Sequence, residues 1–180
     1  MEISPSPPKG NRAPAWDLVP HTAGSLLDLG LIYDSSLMGN DYSPYYVRRG
    51  YEIPQGAPMR FGEKTRLVEM PVSWLLDDYP HFEHLRLPNA IMPGLKTPEE
   101  VFRNGTEDIA YMVRDFTDGV LVFTFHPQVI GRGHRMLGLE RWLDELTGMD
   151  VAFERLESVA EQFLEGRHYG GYKPRRGRPR

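Results

Sequence analysis

The sequence predicts an α/β fold, a parallel sheet or barrel with helices packed outside it. Three observations point there. Strand-like and helix-like segments alternate from Asn11 to Leu164. Val120-Leu121-Val122-Phe123-Thr124-Phe125 is almost continuously apolar between Gly119 and His126-Pro127, as a strand covered on both faces must be. Thr97-Pro98-Glu99-Glu100 supplies an N-cap, a proline at the first helical position and early acids, which opens a helix.

In chain order, residues 1–10 are rich in proline and serine and are expected to be disordered or extended. Asn11 to Trp16 reads as a first strand. Pro20 and Thr22 open an amphipathic helix through Leu26, Leu27 and Leu29 that stops at Gly30. Leu31 to Asp34 is the next strand, and Ser35 to Arg66, dense in Gly, Pro and Tyr, reads as a long irregular excursion. Leu67 to Trp74 is a third strand, and the helix from Thr97 is expected to run to about Asp118. After the apolar strand come a helix from about Arg135 to Leu146, a short strand at Val151 to Phe153 and a last helix from Leu156 to Leu164. The expected organisation is a disordered segment (1–10), one domain (11–166) and a basic disordered tail (167–180).

Composition narrows the functional classes. A chain of 180 residues, 40% hydrophobic and 26% charged, suits a single core. It has no cysteine, which excludes thiolate nucleophiles, disulfides and Cys-based zinc sites and favours the cytoplasm. No apolar window approaches the roughly 18 residues of a membrane span, so no membrane is expected as a partner. The net charge of −4 hides an asymmetry, because the five cations Lys173, Arg175, Arg176, Arg178 and Arg180 close the chain without an acid among them. The remainder is acidic, a poor nucleic-acid binder. Arg-Gly-Arg-Pro at 176–179 matches the core of a minor-groove hook, but a solvated basic tail explains it more simply.

Chemistry in parallel α/β folds collects at the C-terminal ends of strands. His126 ends the apolar run there, where an imidazole can deliver a proton to a leaving group or merely cap a loop. Arg12 and Asp17 flank the end of the first strand, and a guanidinium fork there can orient a carboxylate or form a structural ion pair. Trp74, Asp77 and Asp78 set two acids beside an aromatic platform suited to a sugar ring or planar imide, or else form a capped turn. His81 and His84 lie three apart, which without a third ligand is a weak metal site.

Four ordered segments then resemble the polysaccharide deacetylase (NodB-homology) family: RAPAWD at 12–17, YDSSLMGNDYSPYYVR at 33–48, EMPVSWLLDDYPHF at 69–82 and TFHPQVIGRGHR at 124–135. The likeness is to its branch of intracellular peptidoglycan-deacetylase-like proteins and metal-independent allantoinases. The resemblance implies the C-terminal portion of a distorted (β/α) barrel lacking its first two or three strands, and hydrolysis of a non-peptide amide C–N bond. It assigns Arg12 and Pro14 to an Arg-x-Pro motif that orients the catalytic aspartate, Trp16 to the pocket and His126 to the general acid. Trp74, Asp77 and Asp78 fall where the family has Asp-x-x-Asp-Trp, in a different order, which leaves open which aspartate contributes.

The family's Thr-Phe-Asp-Asp and His-x-x-x-His motifs, which bring the base and the metal ligands, do not occur here. The expectation is therefore an incomplete chain or one subunit of a split enzyme, with no metal bound by this chain alone. A divalent, zinc-like ion would come only with an N-terminal half, and the partners expected are that half or a second copy of the chain. Carbohydrate is the expected substrate. The alternatives are a non-catalytic carbohydrate-binding or assembly protein and a cyclic imide or ureide hydrolase.

Overall fold

The computed structural model describes residues 6–168. In chain order the elements are β1 (Gly10–Asn11), α1 (Thr22–Asp28), β2 (Tyr33–Asp34), β3 (Tyr45–Arg49), β4 (Glu63–Glu69), α2 (Asp78–Phe82), β5 (Leu85–Leu87) and β6 (Ala90–Met92). Then follow α3 (Pro98–Asp115), α4 (Pro127–Ile130), α5 (Gly133–Thr147) and α6 (Leu156–Leu164). They group into two compact units, residues 6–71 with 153–168, and residues 72–152.

The first unit is built on a four-stranded sheet of order β1-β2-β4-β3. β1, β2 and β4 run parallel, with Gly10 beside Tyr33 and Tyr33 beside Val68. β3 runs antiparallel to β4, with a register shift between Tyr46 and Arg48. The sheet is thus mixed, where a parallel sheet or barrel was expected. Its antiparallel strand comes from the segment read as irregular. There Tyr45-Tyr46-Val47 pairs with β4, and Thr65 Oγ1 donates to Val47 O at 2.7 Å, drawing β3 and β4 together. Leu26, Leu31, Val47 and Leu67 form the apolar core of this unit.

The second unit is mostly helical. The expected N-cap forms at Thr97 and is completed as a capping box: its hydroxyl accepts from Glu100 N while the Glu100 carboxylate accepts from Thr97 N. Phe82, Phe102, Ile109, Val129, Ile130, Trp142 and Leu146 make its core, with Trp142 stacked on Phe102 at 5.0 Å. Arg135 is drawn inside, 7% exposed, donating to Glu83, Val129 O and Phe82 O.

Several strand boundaries are corrected. The first strand is only Gly10–Asn11, because Pro14 opens a 3-10 turn, Pro14–Trp16. The third strand ends at Glu69 rather than Trp74, and Ser73 caps a second 3-10 turn at Trp74–Leu76. Val120 to Phe125 forms no regular ladder and pairs only through the parallel bridge between Asp77 and Thr124. Val122 is nonetheless buried and Leu121, Phe123 and Phe125 pack on the core, so the run's apolar character reflects helix contacts on its sides. Residues 151–153 form no strand, and α3 ends at Asp115. Residues 6–9, expected to be disordered or extended, form no helix and run into the sheet, where Lys9 O accepts from Ile32 N at 2.8 Å. Residues 1–5 and 169–180, with the hook-like Arg-Gly-Arg-Pro, lie outside the described residues. Among the described residues, no helix is long and apolar enough to cross a membrane.

Candidate active site

Local rules in the second unit place an acid against an imidazole. The Asp77 side chain accepts from Tyr79 N at 2.7 Å and so caps α2. Asp78 thereby becomes the first helical residue and turns inward, 2% exposed. Asp78 N donates to Thr124 O at 3.0 Å and Thr124 N to Leu76 O at 2.9 Å, which delivers His126 to the Asp78 carboxylate two residues later.

Both Asp78 oxygens accept the His126 backbone N–H, at 3.1 and 3.0 Å, and Oδ1 lies 2.7 Å from His126 Nδ1. Asp77 Oδ1 is 3.7 Å from the same nitrogen. The Asp78 side chain is fully buried while the imidazole remains 34% exposed, and the Tyr79 ring flanks it at 5.5 Å. A buried carboxylate that accepts Nδ1–H fixes the tautomer and ring orientation. Nε2 is then the nitrogen available for proton exchange.

Asp77, Asp78 and His126 could each turn one ligand atom toward a common point, all within 4.8 Å of one another. Two ligands of one zinc-sized ion at about 2.0–2.2 Å stand roughly 3.3 Å apart. The 2.7 Å contact is shorter, the length of a charge-assisted hydrogen bond. Asp78 also spends both oxygens on His126 N, and Asp77 Oδ1 is spent on Tyr79 N. The donor set fits a hydrogen-bonded dyad and not a metal centre. His81 and His84 fit a metal no better: His81 accepts from Lys96 Nζ at Nδ1 and donates from Nε2 to Leu75 O, while His84 Nδ1 donates to Pro93 O.

Of the residues singled out in the sequence, Asp77, Asp78 and His126 thus come together, and Trp74 stands on the turn just before them, 47% exposed. Arg12, Pro14, Trp16 and Asp17 belong to the first unit. There Arg12 Nη2 donates to Ser35 Oγ at 2.6 Å, and Trp16 is buried while Pro14 and Asp17 are exposed. Ala15 and Trp16 have φ of 52° and 56°, the left-handed region that non-glycine residues avoid. Trp16 N to Ala13 O and Asp17 N to Pro14 O hold this turn. Sequence reasoning missed Ser35, Ser36 and their neighbours Asp34 and Glu69; their one signal was a polar Asp-Ser-Ser string at the end of a strand.

No family model matches the chain. It is 30% identical over 176 residues to the peptidoglycan deacetylase of Helicobacter pylori, a match covering 91% of this chain and 59% of that protein. A Mycobacterium smegmatis crystal structure described as a polysaccharide deacetylase superposes with a TM-score of 0.70 at 31% identity, covering 96% of this chain and 54% of the other. The structure of Puue allantoinase shares the fold, with a TM-score of 0.57 at 18% identity over 83% of this chain and 44% of its own. Over most of its own length the chain is thus similar in sequence and fold to polysaccharide deacetylases. It spans between 52% and 59% of the length of the curated relatives it matches.

Proposed function

We propose that this chain carries the leaving-group acid of a polysaccharide deacetylase, an enzyme that hydrolyses the N-acetyl amide of an amino sugar. One observation carries the reading: a partly exposed imidazole held at Nδ1 by a fully buried carboxylate. Amide hydrolysis needs such a group, because an amine leaves a tetrahedral intermediate poorly until its nitrogen is protonated. His126, charged with Nδ1–H on Asp78, gives its Nε2 proton to the departing nitrogen as the C–N bond breaks. The Asp78 carboxylate stabilises the imidazolium before transfer and keeps the ring aimed during it. Trp74, exposed at the same turn, offers a flat apolar face for a sugar ring.

The base that activates water is assigned by the family resemblance to a motif this sequence does not contain, so the proposal concerns the acid half of the reaction. Arg12 is proposed on its motif alone as the arginine that orients that base, with Pro14, Trp16 and Asp17 around the substrate. The name of the Helicobacter relative makes peptidoglycan the first polymer to try.

The test is acetate release from N-acetylglucosamine oligomers and from peptidoglycan, with the chain alone and mixed with an N-terminal segment bearing the two missing motifs. Turnover in the mixture that falls by about 10²–10⁴-fold in His126→Ala is the expected result. Binding of the oligomers without turnover in either case would instead favour a non-catalytic carbohydrate-binding protein. Turnover of cyclic ureides alone would favour an imide hydrolase.

A further inference from the structure

Asp34 and Glu69 are neighbours across the parallel pair β2 and β4, register partners at its C-terminal edge. Both side chains are out of solvent, 1% and 0% exposed. One oxygen of each is fully used. Asp34 Oδ1 accepts from Asn11 Nδ2 at 2.7 Å and from Ser36 Oγ at 3.1 Å. Glu69 Oε1 accepts from Ser36 N at 2.8 Å and Leu37 N at 2.9 Å. The other two, Asp34 Oδ2 and Glu69 Oε2, are enclosed with no donor.

An ionised carboxylate can only accept, so these two oxygens can partner each other only if one carries a proton. With both groups ionised, two like charges would lie buried side by side, each with an unsatisfied oxygen. One proton removes a charge and satisfies both oxygens.

We propose that Asp34 and Glu69 hold a single proton between them, and that this proton fixes the Ser35-Ser36 corner that positions Arg12. The path is short. Glu69 holds Ser36 N, Asp34 holds Ser36 Oγ, Ser36 Oγ accepts Ala13 N at 2.9 Å, and Ser35 Oγ accepts Arg12 Nη2 while donating to Met70 O. Loss of the proton sets two carboxylates against each other beneath that corner and loosens Arg12. Asp34 and Glu69 are positioning residues in this scheme.

Burial pushes the Glu69 carboxyl up to about 8, against the N–H groups of Leu37 and Ser36, and the charge of Asp34 and a side-chain hydrogen bond donated to it push the same way as burial. The ionisable groups around the pair are few. Arg12 reaches Ser35 from the segment after β1, and β3 brings Tyr45, the register partner of Glu69, whose phenol is raised by burial and then by the Glu69 charge. From α6 and its N-cap, Glu157 and Arg155 act on Tyr33, whose side chain leaves the opposite face of β2 from Asp34. The buried and half-buried positions of α1, which packs on β4, are Thr22, Ala23, Gly24, Leu26 and Leu27, none of them ionisable.

The test needs no substrate, so its outcome is independent of the hydrolytic reading. Infrared difference spectra of the full chain are recorded between Glu69→Gln and wild type, and side-chain nitrogen NMR follows Arg12 across pH. The expected result is a protonated-carboxyl band at pH 7 that vanishes in Glu69→Gln. The Arg12 Nη resonances should be resolved at pH 7, average above pH 8 in the wild type, and stay resolved there in Glu69→Gln, whose amide replaces the proton as donor. Wild type without a protonated-carboxyl band at pH 7 overturns the shared proton. Arg12 signals that average at the same pH in both proteins overturn the positioning role.

Discussion

Asp78 grips His126 twice, through the backbone N–H with both carboxylate oxygens and through ring Nδ1 with one of them. The double grip fixes backbone and imidazole together, so one carboxylate sets the orientation of the ring. Replacing that group should therefore affect chemistry more than binding. Asp78→Asn is expected to lower kcat by about 10²–10⁴-fold with little change in KM. Steady-state kinetics on an N-acetylated oligosaccharide, with the base-bearing segment supplied, checks this, and a purely KM effect would count against it.

The Asp34–Glu69 pair makes stability depend on pH. Below its ordinary value of 4.5, Glu69 is protonated in folded and unfolded chains alike, and its contribution is fully present. Between 4.5 and about 8 only the folded chain keeps the proton, so stability falls as pH rises, and the loss is complete above about 8. Urea midpoints measured across this range should fall in the wild type and stay flatter in Glu69→Gln. Identical slopes would show that the group does not titrate with folding.

Arg135 anchors the second unit from inside. Its guanidinium satisfies two buried carbonyls and Glu83, and lies 4.8 Å over the Phe82 ring. Arg135→Ala removes the side-chain donor from both carbonyls, leaving Phe82 O with only Leu95 N at 3.3 Å, and strands Glu83 without its cation; it is expected to cost about 3–5 kcal/mol. Glu83→Ala removes only a 30%-exposed partner and should cost about 1 kcal/mol. Chemical denaturation of both variants gives the comparison; equal losses would contradict it.

The turn after Arg12 stores strain at Ala15, where φ is 52°. Ala15→Gly exchanges strain relief for a more flexible unfolded chain and should stay within about 1 kcal/mol of wild type. Ala15→Val, branched at Cβ, should lose about 1–3 kcal/mol. Thermal melts of the two variants check the difference.

Which parts were legible in the sequence follows from the range of the interactions. The helix at Thr97 was readable because its capping box lies within four residues. His126 was readable because an apolar run points to it. The choice between Asp77 and Asp78 was not readable, since it depends on which acid caps α2 and which is carried inward by the bridge to Thr124, 47 residues from Asp77. β3 was hidden by the glycines, prolines and tyrosines around it, and its pairing with β4 spans a long connection. The Val120–Phe125 run misled in the other direction: burial beside helices makes a chain as apolar as burial within a sheet does. Asp34 and Glu69 are unremarkable acids until strand register sets them side by side.

If His126 donates the proton to the departing nitrogen, a substrate whose leaving group needs no proton should not require it. Hydrolysis of an N-acetylglucosamine oligomer and of p-nitrophenyl acetate, compared for wild type and His126→Ala with the base-bearing segment present, tests this directly. A loss of about 10²–10⁴-fold on the amide with little loss on the ester is expected. Equal losses on both substrates would contradict it.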